Sequence, residues 1–129
     1  MRDGVVAGLI YGAVLLCAPL TAALAQWTPG SELVGQSVQV ETNGIVNTIY
    51  FDPGGVARIT TPAGMVVQGA WTAANQQLCL QTGTGQECWP YQTSFQSGQQ
   101  VTLTSSCQVA SRWTPLSTNP TQMRAGERG

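Results

Sequence analysis

Leu78-Cys79-Leu80-Gln81-Thr82-Gly83-Thr84-Gly85-Gln86-Glu87-Cys88-Trp89 is the stretch whose reading decides the fold. If the two cysteines lie opposite each other, Leu80 pairs with Glu87, Gln81 with Gln86 and Thr82 with Gly85. That leaves Gly83-Thr84 as a two-residue loop, and a glycine in first place is what a type II′ turn needs. Counting outward from such a loop, Cys79 and Cys88 fall at a non-hydrogen-bonded pair with Cα atoms about 4.5 Å apart, a separation a disulfide bridges. The same register sets Leu78 beside Trp89 on the opposite face, so the staple is superficial and the indole points inward. Closing a loop of about ten residues contributes roughly 2.7 kcal/mol in the chain-entropy account.

Upstream, Val38 to Glu41 and Ile45 to Phe51 flank Asn43-Gly44, a strong hairpin signal because both residues tolerate the positive φ of a type I′ turn. That turn sets Val40 against Asn47 and Val38 against Ile49. Val38, Val40, Ile45, Ile49 and Phe51 then share an apolar face, with Gln39, Glu41, Thr48 and Tyr50 on the other. Asp52-Pro53-Gly54-Gly55 and Thr61-Pro62-Ala63-Gly64 are further turns, bounding a strand at Val56 to Thr60. In Met65 to Trp71, the residues Met65, Val67, Gly69 and Trp71 share a face, and Gly69 would admit a bulky neighbour such as Trp89. Strands at Val101 to Ser105 and Val109 to Trp113 complete the series. The pattern predicts an all-β domain, one antiparallel meander closed into a small barrel or sandwich.

Residues 1–25 read as a secretory signal peptide: a charged start at Arg2, an apolar run from Val5 to Leu16, and Ala23-Leu24-Ala25 before Gln26. The run is too short to span a membrane. Cys17 reads as apolar filler within it, since Leu16 is bulkier than the residue that precedes a lipidated cysteine. The β domain is expected over 26–113, and the Pro-containing tail 114–129 is expected to be disordered. Export implies an oxidising compartment, periplasmic or secreted.

Composition removes several chemistries. The chain has no histidine and no lysine, and its formal charge is −1. Nucleic acid and anionic membrane surfaces are therefore not expected partners. Ser-His-Asp, Cys-His and lysine nucleophiles cannot be assembled. Three cysteines without histidine make a poor zinc site, so no metal and no cofactor is expected. Cys107, the unpaired thiol, reads as a buried free cysteine, with a reactive or intermolecular role as the alternative. Glu32, Glu41, Asp52 and Glu87 are the only carboxylates within the domain that glycosidase-type chemistry would draw on. Each has an ordinary structural role available, so no catalytic residue is assigned.

Taken together, Leu33-Val34-Gly35, Ile49-Tyr50-Phe51-Asp52 with Gly54-Gly55, Gly69-Ala70-Trp71 and Leu78-Cys79-Leu80 through Glu87-Cys88-Trp89 resemble a pattern in small exported bacterial β-sheet proteins of unassigned function. Those proteins have a layout similar to lipocalin-like barrels. The resemblance covers Leu33 to about Ser105 and implies the fold, without transferring a catalytic residue. So short a domain is expected to leave little room for a cavity once side chains fill the barrel.

The expected function is non-catalytic binding of a protein or envelope component, its sharpest version being a periplasmic hydrolase inhibitor that presents a loop. Outward-facing Tyr50 is the candidate contact residue. A small-ligand carrier using the barrel mouth is the alternative, and a carboxylate-based hydrolase is a further one.

Overall fold

The computed structural model describes residues 27–120 with the exception of Thr84; the signal peptide reading and residues 121–129 of the tail lie outside the described residues. Among the described residues, eight strands form a single antiparallel sheet: β1 Ser37–Thr42, β2 Ile45–Phe51, β3 Val56–Thr60, β4 Val66–Ala74, β5 Gln77–Thr82, β6 Gly85–Pro90, β7 Val101–Thr104 and β8 Ala110–Pro115. Their order is β6-β5-β4-β3-β2-β1-β8-β7, so consecutive strands are paired except β6 and β7, which form the two edges, and β8 returns to β1. The result is an up-and-down meander forming a nearly closed barrel. Its seam runs between β6 and β7. There the Ser106 N–H donates to the Cys88 carbonyl at 2.8 Å, and the Cys88 N–H donates to Ser106 Oγ at 3.1 Å.

Both decisive hairpins adopt the expected registers. Val40 faces Asn47 and Val38 faces Ile49, while Asn43 and Gly44 have φ of 52° and 84°, the paired positive values of a type I′ turn. Cys79 faces Cys88, Leu78 faces Trp89, and the disulfide closes across Cα atoms 4.0 Å apart. Leu78 and Trp89 are buried and the cysteines only half so, as alternation demands. Gly83 does not take the positive φ that the expected type II′ turn requires.

Three other hairpins share one turn design, in which a carbonyl accepts from the N–H three residues on and the residue at that third position has φ > 0. It occurs at Asp52–Gly55, Thr61–Gly64 and Ser105–Gln108. Glycine supplies the left-handed residue in the first two; in the third Gln108 does so at φ 66°.

Gly69 is indeed a close-approach position, but the neighbour is not Trp89. A Cβ there would collide with the carbonyl oxygen of Gln81, so β5 crosses tightly over β4. A glycine at a barrel corner lets the sheet coil this sharply.

Strand direction puts the turns at 43–44, 61–64, 83–84 and 105–108 at one end of the barrel, and those at 52–55 and 75–76 at the other. The second end is sealed by residues 28–36 and 91–95. Leu33, Val38, Phe51, Ala57, Leu78 and Trp113 in that half are fully buried. Edge-on pairs of Phe51 with Trp71 (5.2 Å between ring centroids) and Trp89 with Trp113 (4.9 Å) fill it, and Phe95 stacks on Trp113 at 5.7 Å.

The domain boundary needs correction. Thr114 and Pro115 belong to β8, where Pro115 faces Val38, and the chain beyond them stays pinned. Asn119 donates from Nδ2 to the carbonyls of Val34 (2.7 Å) and Ser31 (3.1 Å), and its Oδ1 accepts from Gln36 Nε2 at 2.7 Å. One amide side chain satisfies three groups of a turn that would otherwise hold unpaired polar atoms, which offsets the ordering entropy of these few residues.

Candidate functional site

The open end of the barrel encloses a cavity of about 560 Å³. Its floor is Ile49, Leu80 and Trp89, the last buried side chains above the filled half of the barrel. Val40, Ile59 and Val109 continue the apolar wall, while Thr42, Asn47, Ser111 and Glu87 bring polar groups to it. Thr42 and Ser111 share a hydroxyl–hydroxyl bond of 2.7 Å across the β1–β8 pair. The expectation of a barrel with little internal space is therefore overturned. The cause is local: near the mouth the inward positions hold small residues such as Thr42, Thr82, Gly85 and Ser111, which do not reach the axis.

The rim is apolar as well. Ile45 is 56% exposed and Met65 63%, with Val46, Val66 and Val67 also exposed on the β1–β2 and β3–β4 hairpins. Ile45 was expected in the core; it keeps the inward phase but lies beside the Asn43-Gly44 turn, beyond the reach of the opposite wall. Cys107 is likewise exposed instead of buried. It occupies the Ser105–Gln108 turn and lines the cavity, because a residue in a tight turn has no layer above it.

The four domain carboxylates occupy three different settings. Glu41 pairs with Arg112 at 3.5 Å and Asp52 with Arg58 at 2.8 Å, both on the outer wall. Glu87 points into the mouth, as its spacing of two from inward Trp89 requires. Glu32 is fully buried at the sealed end. Its Oε2 accepts from the Tyr91 hydroxyl at 2.6 Å and from the Phe95 N–H at 2.9 Å, while the Tyr91 oxygen accepts from the Gly30 N–H at 2.8 Å. Burial, followed by the adjacent Glu32 carboxylate, pushes the Tyr91 phenol well above its ordinary range, and the Gly30 amide opposes this only in part. Glu32 is thus the anchor of the plug, a role nothing in its local sequence signals.

Tyr50 lies on the outer wall of β2, opposite Arg58, whose guanidinium sits 5.4 Å from its ring centre. It does not join the cavity. Trp71, half-buried, donates from its indole N–H to the Asp52 carbonyl at 3.0 Å. Among the described residues no three His, Cys, Asp or Glu side chains come together to hold a metal, and no helix is long and apolar enough to cross a membrane. Comparisons with protein-family models, with curated proteins and with solved structures found no match.

Proposed function

We propose that this chain is an exported, non-catalytic binding protein whose site is the open barrel mouth, where it takes a small molecule with an apolar body. The observation that carries this reading is the cavity of about 560 Å³ with an apolar floor and a few polar groups at its wall. Ligand sites run from about 300 to 1,000 Å³ and have this division of labour, and eight-stranded barrels are the size that holds one small ligand. The disulfide is compatible with an oxidising compartment and with export. The absence of catalysis in this reading rests on the placement of Glu41, Asp52 and Glu32 in structural pairings away from the mouth, so that among the described residues Glu87 is the one carboxylate lining the cavity.

The test is titration of the full chain with N-phenylnaphthylamine, a neutral dye that brightens in apolar surroundings. Saturable binding of one dye per chain is expected, and Val109→Trp, which places an indole in the mouth, should abolish it. A protein that leaves the dye dark, or a Val109→Trp variant that binds it as well as the parent, would rule the mouth out.

A second reading, contact with a protein or envelope component, draws on the exposed Ile45, Val46, Met65, Val66 and Val67. Apolar side chains gathered on two adjacent hairpins are what a docking surface presents. A hydrolase inhibitor would use this end, where the turns at 61–64 and 83–85 also lie, whereas Asp52–Gly55 is at the opposite end. Capture from periplasmic extract that recovers no hydrolase counts against that version.

A further inference from the structure

Among the described residues lining the mouth cavity, Glu87 is the single ionisable group besides the Cys107 thiol, and none is an arginine. Arg58 and Arg112 are both engaged on the outer wall, by Asp52 and Glu41. Glu87 is half-buried as a residue, makes no ion pair or side-chain hydrogen bond among the described residues, and stands two positions along β6 from the Trp89 floor. Glu87 thus sets a carboxylate at the wall of a largely apolar cup with no counter-charge among the described lining residues. A molecule that brings a positive charge gains an attraction that a neutral one lacks.

We infer that the ligand is a monocationic amphiphile, an ammonium group set against Glu87 with its apolar body against Ile49, Ile59, Leu80 and Trp89. The inference rests on the mouth being the binding site and adds the charge of the occupant. A neutral molecule of the same shape fills the apolar cup but leaves Glu87 unpaired. An anionic one, such as a fatty acid, meets a like charge with no cation to offset it.

The experiment is calorimetric titration of the full chain with octylammonium, octanol and octanoate at neutral pH and low salt. These share one apolar body and differ only at the head group. Octylammonium is expected to bind about tenfold tighter than octanol, and octanoate weaker than both. The gap should shrink as ionic strength rises toward 1 M, where the screening length falls to about 3 Å. Glu87→Gln should collapse the ordering of the three probes. Equal binding of octylammonium and octanol by the parent protein overturns the inference while leaving the mouth as a site. So does a preference for octanoate, or an ammonium preference that survives in Glu87→Gln. If all three probes fail to bind, the reading of the mouth as a binding site falls too.

Discussion

The sealed end of the barrel and the open end are built from the same strands, yet they solve opposite problems. At the sealed end Phe51, Leu78 and Trp113 are fully buried, Tyr91 and Asn119 satisfy backbone groups of Gly30, Ser31 and Val34, and Glu32 accepts from the Tyr91 hydroxyl and the Phe95 N–H. At the open end the inward positions shrink to Thr42, Thr82, Gly85 and Ser111, a cavity remains, and apolar side chains face solvent around it. Dense packing fills one half and a cavity occupies the other, a division that lets a small domain keep a hollow mouth without losing its fold.

That contrast breaks most visibly at Glu32. Glu32→Ala leaves the Tyr91 hydroxyl and the Phe95 N–H without their acceptor inside the sealed half, and urea denaturation should show a loss of about 3–5 kcal/mol. Glu87→Gln, the same kind of change at the open end, is expected to stay within about 0.5 kcal/mol. Equal losses at the two sites would erase the distinction.

The disulfide spans the wall between the halves. Replacing both Cys79 and Cys88 with Ser should cost about 2.7 kcal/mol, read from the same denaturation midpoints, with less if the hairpin already restricts the unfolded chain.

Alkaline unfolding sharpens the comparison further. The Tyr91 phenol is held protonated in the folded state above the point where it ionises in the unfolded one. Its contribution is therefore complete below about pH 10 and declines as pH rises beyond that, by about 1.4 kcal/mol per pH unit while the folded phenol keeps its proton. Stability measured between about pH 10 and pH 12 should fall with that added slope, and Tyr91→Phe should remove it. A slope unchanged by the substitution would mean the sealed end does not hold the phenol as described.

A smaller effect than those at Glu32, the disulfide and Tyr91 belongs to the mouth turns. Gln108 occupies the left-handed position that Gly55 and Gly64 fill in the sister turns. Gln108→Gly should raise stability by about 0.5–1 kcal/mol, whereas Gly64→Ala should lower it by a similar amount. A thermal melt of each variant decides the sign.

Much of this fold was legible in local chemistry. The Asn43-Gly44 dipeptide and the Cys79–Cys88 spacing each specify a register, and alternation then assigns every side chain of those hairpins to a face. Glu87 could have been placed inside the mouth on the same grounds, since it shares phase with Trp89. Other features had no local signal. Glu32 sits in a run of turns without periodicity, and its burial depends on Tyr91 and Phe95, which leave β6 and fold under the barrel some 60 residues later. Asn119 falls in a stretch whose composition suggests disorder, and only its contacts with residues 31–36 hold it in place.

By itself, then, the order of residues determined the strands, their pairing within each hairpin and the covalent staple, because these depend on turn residues and on neighbours a few positions away. The tertiary structure alone decided that β8 returns to β1, that one end is plugged and the other hollow, and that one carboxylate is an anchor while another lines the mouth cavity. Those outcomes follow from which side chains meet across the barrel axis, and distant segments come together there only once the sheet has curled.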